Sequence, residues 1–321
     1  MTLMLRSVII ALAISLVRPT HAQAPRVTYV AVDTGVKLEV VDWGGSGRPV
    51  VLLAGNGQTA HSFDEFGPAL ARFYHVYGIT RRGFGASSKP VGGYRNDRRA
   101  DDVLAVIDSL GLKLPVIAGH SLGGEELSSI GTRRPERVAG LVYLDASGAL
   151  YDSTHSDFIT DVAELKYHLD ELREAGGRGK AAAMDSLITL ILQTDFPFLQ
   201  HGLTGMQQAA HSLPPVVNHP LMPPPTSGVA RAIDDGRQRY SGIRVPVLAF
   251  FAVANPPTGV GSDSAVTERW LRQNTEVPGR FARRLPRARI VVLPNANHFV
   301  FRSNQSEVIA GMRSFIDRLR P

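Results

Sequence analysis

The chain has 321 residues, of which 44% are hydrophobic and 20% charged, and it contains no cysteine. This composition is typical of a globular protein with a sizeable core, and it excludes disulfides, thiolate nucleophiles and cysteine-bound metals. The formal net charge of +6 arises from basic residues that are scattered apart from a cluster at Arg280 to Arg289, and the sequence lacks the aromatic-basic interleaving of a base-stacking platform, which argues against a nucleic-acid partner.

The N-terminus carries the pattern of a targeting segment. Arg6 precedes an apolar run from Ser7 to Val17, and the small residues Ala22 and Ala24 follow. This pattern predicts a signal peptide over residues 1–24, cleaved after Ala24, with an uncleaved anchor or a misassigned start codon as alternatives. No later apolar segment is long enough for a membrane helix. We therefore expect a periplasmic or secreted protein without stable membrane insertion after cleavage.

Short apolar runs then alternate with helical patterns. Helices are predicted at residues 62–72, 98–110 and 125–133, between strands at 26–32, 36–42, 49–53, 74–79, 114–118 and 138–144. This alternation predicts an α/β fold with a mostly parallel central sheet and helices on both faces.

The alternation stops between about residues 147 and 239. Helical patterns at residues 157–174 and 180–193 precede a proline-rich stretch at 213–225, and strands return at 245–252 and 289–293 before a last helix at 305–319. Since the sheet continues beyond the interruption, we predict one domain at residues 25–321, with a core at 25–146 and 240–321 and an inserted helical cap at about 147–239.

The segment Gly119-x-Ser121-x-Gly123 lies between a predicted strand and a predicted helix. In that context the motif indicates a nucleophilic serine on a strained turn, with its hydroxyl at a helix N-terminus. Outside that context the same letters would be an ordinary glycine-rich turn.

Four stretches of the sequence together resemble the α/β-hydrolase superfamily: Val50 to Gly57, Thr80 to Ser87, Gly119 to Gly124 and Leu293 to Phe299. The resemblance covers essentially all of the chain after the signal peptide. It implies the α/β-hydrolase fold and a triad in the order serine, acid, histidine.

By this resemblance His298, in the loop after the last strand, is the base that activates Ser121. The backbone amides of Asn56 and Leu122 are the implied oxyanion donors. The family motif usually begins with His-Gly where this sequence has Ala54-Gly55, which removes a familiar loop-fixing side chain.

The acid departs from the family pattern. Most relatives place an aspartate after the strand that follows the cap, where this sequence has Asn255. A neutral amide cannot stabilise an imidazolium ion. Asp145 is the preferred acid because it ends the strand after the nucleophile helix, where certain haloalkane dehalogenases take theirs, although it could instead be a turn or cap residue. Asp263 is the fallback, with helix capping as its alternative role.

Other polar residues receive weaker assignments. His120 and Phe84 are candidate substrate-binding residues. Glu125 and Glu126 are predicted to compensate the helix dipole, with tuning of the pocket as the alternative. The pair Arg81-Arg82 is predicted to be structural support. Histidines 201, 211 and 219 lack the spacing of a metal site.

The sequence therefore predicts a serine hydrolase that cleaves a carboxylic ester or related small acyl substrate through an acyl-enzyme, without metal or other cofactor. Ser121 argues against epoxide and haloalkane hydrolysis, which use an aspartate nucleophile on this fold. Amidase, lactonase, perhydrolase and C–C hydrolase activities use the same triad. A catalytically impaired ligand-binding protein is the alternative from another class, and neither substrate identity nor oligomeric state follows from the sequence.

Overall fold

The computed structural model of the protein describes residues 24–146, 158–212, 228–253 and 276–320. The predicted signal peptide and its cleavage site fall almost wholly outside these ranges and stay predictions. None of the helices in the described ranges is long and apolar enough to cross a membrane.

Within the described ranges, eight strands form one sheet in the order β1-β2-β4-β3-β5-β6-β7-β8. The first two strands pair antiparallel, β2 pairs antiparallel with β4, and the other neighbours are parallel. The predicted mostly parallel sheet is therefore confirmed. The strands are β1 Arg26–Asp33, β2 Val36–Gly44, β3 Pro49–Leu53, β4 His75–Ile79, β5 Val116–His120, β6 Gly140–Leu144, β7 Val247–Val253 and β8 Arg289–Pro294.

Helices connect the strands and cover both faces of the sheet. In chain order they are α1 Phe66–Ala71, α2 Asn96–Ser109, α3 Gly123–Arg133, α4 Phe158–Gly177, α5 Ala181–Leu190, α6 Phe196–Ser212, α7 Gly228–Asp234, α8 at residues 276–284, α9 Val300–Ser303 and α10 Gln305–Ile316. A π-helical turn, Ile191–Asp195, joins α5 to α6. The described residues between β6 and β7 are thus largely helical, while the boundaries predicted for the cap stay untested.

Among the residues that the structure describes, two apolar clusters form the core, one on each face of the sheet. On one face Phe66, Phe301 and Met312 pack against β3 and β5. On the other face Val103 and Leu127 contribute from α2 and α3. Because helices cover both faces, the central strands are buried almost throughout, which accounts for their continuous apolar sequences.

Two predicted elements differ in their bounds. The helix predicted at 62–72 is split into a 3₁₀ turn, Ala60–Phe63, and α1, because Pro68 lacks an N–H and is tolerated only in the first turn of a helix. The strand predicted at 114–118 begins two residues later, after Leu114, whose φ is +40°, and Pro115. β5 therefore extends to His120, directly before Ser121.

Candidate active site

The candidate catalytic residues meet at the carboxyl edge of the sheet. Ser121 follows β5, Asp145 follows β6, and His298 lies four residues beyond the end of β8. Parallel strands end at the same edge, which is where open α/β sheets bind ligands. The register places His120 opposite Leu144, so the first two loops start at the same level.

Ser121 occupies a strained turn between β5 and α3. Its φ of +51° lies in the left-handed region, which costs a non-glycine residue roughly 1–2 kcal/mol. The flanking glycines allow the approach of strand and helix that this turn needs. A Cβ at Gly119 would lie 2.6 Å from the Gly123 carbonyl oxygen, and one at Gly123 would lie 2.7 Å from the Leu53 oxygen. The serine therefore projects from a rigid backbone at the start of α3.

Asp145 contacts the imidazole of His298. His298 Nδ1 lies 2.7 Å from Asp145 Oδ2, while Asp145 Oδ1 accepts a 2.8 Å hydrogen bond from the Ala252 backbone N–H. The Asp145 N–H donates to the Phe250 carbonyl at 2.8 Å. Strand β7 therefore holds both the backbone and the side chain of Asp145. Since a carboxylate only accepts, Nδ1 is the donor in this contact, which is the tautomer whose neutral ring has its lone pair on Nε2. Asn255 and Asp263, the alternative positions for an acid, lie outside the described residues.

His120 is buried beneath the His298 loop. Its Nε2 lies 2.9 Å from the His298 carbonyl oxygen, and its ring centre lies 4.5 Å from that of His298. Only 1% of the residue is exposed. Burial, with the neighbouring His298, lowers the pKa of His120 to about 4, so the ring is neutral and donates from Nε2. A ring this deeply buried argues against the predicted contact with substrate. We interpret His120 as a structural residue that supports the His298 loop.

The two predicted oxyanion donors lie on either side of the nucleophile. Leu122 immediately precedes the first residue of α3, where backbone N–H groups have no intrahelical acceptor. Asn56 follows Gly55, whose added Cβ would lie 3.2 Å from Ser121 Cβ. Within the part of the chain that the structure describes, neither the Asn56 nor the Leu122 N–H donates a backbone hydrogen bond.

Phe84 belongs to a small apolar cluster that links the nucleophile turn to α7. The cluster contains Tyr94, Leu122 and Ile233, with Phe84 and Val229 packed against it. Phe84 therefore lies near the residue after Ser121, and its contact with substrate stays a prediction. No group of metal-binding side chains occurs among the residues that the structure describes.

Glu125 and Glu126 lie in the first turn of α3, as predicted, but both are buried and paired with arginines. Arg99 Nη2 donates to Glu125 Oε2 at 2.7 Å, and Arg99 Nη1 donates to Glu126 Oε1 at 3.0 Å. The sequence interpretation missed Arg99. The available signal was the pair of acids beside the nucleophile motif, which require buried cations if that turn faces the protein interior.

Comparison with known proteins agrees with this architecture. The model of the alpha/beta hydrolase family matches residues 50–311. The chain is 25% identical over 279 residues to a dihydrolipoyllysine-residue acetyltransferase component of the acetoin cleaving system of Pseudomonas putida, covering 85% of this chain and 64% of that protein. It is 34% identical over 134 residues to the bifunctional esterase/perhydrolase DCH of Acinetobacter calcoaceticus, covering 40% of this chain and 48% of that protein.

Both alignments thus span less than two thirds of the relative's own length. Among solved structures, an esterase from Exiguobacterium antarcticum superposes with a TM-score of 0.56 at 17% identity, over 90% of this chain and 99% of that one. The family match extends over most of the chain and includes the Ser121 turn and the His298 loop. The chain therefore belongs to the α/β-hydrolase family.

Proposed function

We propose that the protein is a serine hydrolase that cleaves carboxylic esters through an acyl-enzyme, with Ser121 as nucleophile, His298 as base and Asp145 as the acid. The observation that carries the proposal is the 2.7 Å hydrogen bond between His298 Nδ1 and Asp145 Oδ2. Asp145 thereby supplies the carboxylate that Asn255 lacks. Its contact with His298 also makes a catalytically impaired ligand-binding protein the weaker alternative.

The first half of the reaction acylates Ser121. The Oγ atom attacks the ester carbonyl while His298 Nε2 takes the hydroxyl proton, and Asp145 stabilises the imidazolium that forms. The carbonyl oxygen becomes an oxyanion held by the N–H groups of Asn56 and Leu122. Collapse of the tetrahedral intermediate breaks the C–O bond, and His298 returns the proton to the departing alcohol.

The second half removes the acyl group. A water molecule gives a proton to His298 Nε2 and attacks the acyl carbonyl, so that the same oxyanion donors act again. The carboxylic acid leaves as Ser121 regains its proton. Ser121 as nucleophile supports acyl chemistry over epoxide or haloalkane opening, and the relative named as an esterase and perhydrolase acts within the same acyl class.

The first experiment measures release of p-nitrophenol from p-nitrophenyl acetate, butyrate and octanoate by wild type and Ser121→Ala. We expect turnover by wild type, a loss of at least about 10⁴-fold in kcat for the variant, and covalent labelling of Ser121 by a fluorophosphonate. A wild-type protein that neither turns over these esters nor takes up the label would contradict the proposal.

The assignment of the acid requires a matched pair of variants. Asp145→Asn keeps the shape of the side chain but cannot stabilise the imidazolium, so we expect kcat to fall by about 10³- to 10⁴-fold with little change in KM. Asp263→Asn is the control and should leave kcat nearly unchanged. The opposite ranking would transfer the role of acid to Asp263.

A further inference from the structure

The guanidinium group of Arg81 contacts the loop that carries Asn56. Its Nη2 donates to the Ala54 carbonyl at 2.7 Å, and its Nη1 donates to the Gly55 carbonyl at 2.8 Å. Its Nε donates to Glu126 Oε1 at 2.8 Å. The Arg81 side chain is only 9% exposed. A single side chain thus joins the loop after β3 to the first turn of the nucleophile helix.

The planarity of the peptide bond gives these contacts a consequence for Asn56. In a trans peptide the carbonyl of one residue and the N–H of the next point in opposite directions. The Ala54–Gly55 peptide illustrates this arrangement, because Arg81 holds its carbonyl while its N–H donates to Gln58 Oε1 at 3.2 Å. In the next peptide Arg81 holds the Gly55 carbonyl, and the Asn56 N–H points away from the guanidinium.

We propose that Arg81 is a positioning residue for the oxyanion hole, holding the Gly55 carbonyl so that the Asn56 N–H stays directed at the substrate oxygen. This inference rests on the proposed function, in which the Asn56 N–H is an oxyanion donor. The Gln58 N–H also reaches the Gly55 carbonyl, at 3.4 Å, but as the longer and uncharged contact.

One buried carboxylate, that of Glu126, holds Arg81 in place. The side chains of Glu126 and Arg99 are 2% and 0% exposed, and Glu126 Oε1 accepts from both arginines. Burial alone would raise the pKa of the Glu126 carboxyl, but the guanidinium groups of Arg81 and Arg99 outweigh it and hold that pKa below its ordinary value. Glu126 therefore stays ionised, and its hydrogen bond from Nε holds the Arg81 guanidinium in place.

The geometry requires arginine in particular. Three separate nitrogen atoms of Arg81 donate at once, to three acceptors on two segments of the chain. A planar guanidinium offers donors in a fixed fork, whereas a lysine ammonium is a single point on a flexible stem. A lysine at this position would keep the charge beside Glu126 but would not hold both carbonyls in the same geometry.

The neighbouring residue provides a matched control. Arg82 is also buried and forms a two-pronged ion pair with Asp102, at 2.6 and 2.7 Å, but its hydrogen bonds involve neither the Ala54 nor the Gly55 carbonyl. The experiment compares wild type, Arg81→Gln, Arg81→Lys and Arg82→Gln. It measures p-nitrophenyl butyrate kinetics, inhibition by an alkyl trifluoromethyl ketone, thermal stability, and a crystal structure of each protein.

We expect Arg81→Gln and Arg81→Lys to lose about 10- to 100-fold in kcat, less than loss of a whole oxyanion donor would cost, with little change in KM. Affinity for the trifluoromethyl ketone, which forms a tetrahedral adduct with serine, should fall by a similar factor. Arg82→Gln should lower the melting temperature while keeping kcat within about threefold. Arg81→Lys keeps the test open if Arg81→Gln fails to fold.

The crystal structures decide the inference independently of turnover. The Gly55–Asn56 peptide should be rotated or displaced in the Arg81 variants and unchanged in Arg82→Gln. An unmoved peptide in the Arg81 variants, or an equal loss of kcat in Arg82→Gln, would overturn it. If wild type is inert toward esters while the peptide moves as expected, the proposed function fails and the oxyanion role fails with it, and Arg81 is left with only a structural role in holding the Gly55–Asn56 peptide.

Discussion

His120 shows how strongly one residue beside the site depends on its surroundings. The ring is enclosed by His298, Phe299 and Phe301, with centroid distances of 4.5, 5.0 and 5.2 Å. Its Nδ1 is buried without a hydrogen-bond partner among the described residues. Protonation of this ring would bury a charge next to a second histidine, and this explains why its pKa falls to about 4.

This depressed pKa predicts a loss of stability in acid. An unfolded histidine takes up its proton near pH 6.5, whereas folded His120 does so near pH 4, so protons between these values bind the unfolded state preferentially. The contribution is present above pH 6.5 and is lost as pH falls toward 4, by an amount on the order of 3 kcal/mol. His120→Gln keeps a donor for the His298 carbonyl and removes the titration.

The measurement is urea unfolding of wild type and His120→Gln between about pH 7 and pH 4. Carboxylates titrate in both proteins, so only the difference between the two curves reports on position 120. We expect wild type to lose more stability than the variant over this range. Parallel curves would show that His120 does not titrate differently in the folded and unfolded states.

At the scale of elements, Arg239 forms ion pairs that connect the helices preceding β7. Its Nη1 donates to Asp161 of α4 at 2.9 Å, and its Nη2 donates to Asp195 of the π-helical turn at 2.6 Å. The guanidinium carbon lies 4.8 Å from the ring centre of Phe198 in α6. Asp195 is fully buried, and its Oδ2 also accepts a 2.7 Å hydrogen bond from His168 Nδ1. Several helices thus converge on one partly buried cation.

Arg239→Gln should destabilise the fold substantially. The substitution leaves buried Asp161 and Asp195 without their shared cation, and breaking a buried pair from one side costs about 3–5 kcal/mol. Arg178→Gln is the control, because Arg178 pairs with Glu174 at 3.3 Å where both side chains are 65% exposed, and it should change stability by less than about 0.5 kcal/mol. Chemical unfolding of both variants measures the difference, and equal effects would contradict the bridging role of Arg239.

At the scale of the whole molecule, the sequence predicted what depends on local pattern. Continuous apolar runs at β3, β5 and β6 indicated buried parallel strands, and the sheet confirms them. The glycines around Ser121 indicated a tight strand-to-helix turn, and the positive φ of Ser121 agrees. Asp145 is the preferred acid in the sequence because it ends the strand after the nucleophile helix, and in the structure it lies 2.7 Å from His298 Nδ1.

Features that depend on distant pairing could not be predicted in the same way. The buried cluster consists of charged residues from separate parts of the chain: Arg81, Arg99 and Glu126. Each of these residue types, taken alone, is typical of a solvated surface. The packing of α2 against α3 brings Arg99 to Glu126, and Arg81 reaches Glu126 from the loop after β4. The helix at residues 276–284 was also missed, although Phe281 packs into the core beside Tyr143, at a ring distance of 5.0 Å.

Burial is distributed unevenly over the molecule, and this predicts uneven stability. Nine residues of the eleven-residue α3 are buried, whereas no residue of α5 is. Several large apolar side chains in this region are exposed, among them Leu190 of α5, Leu192 of the π-helical turn and Leu203 of α6. Helices with few buried contacts open at lower free energy than those in the core, because less apolar surface must be transferred to water.

Hydrogen exchange followed by mass spectrometry should therefore separate the two regions. After correction for intrinsic rates, we expect amides of α5 to exchange at least about 100-fold faster than those of α3. Ser121→Ala is the control, because removing one hydroxyl outside both helices should leave this ratio unchanged. Comparable protection in α5 and α3 would mean that the helices preceding β7 open only together with the sheet, as one cooperative unit.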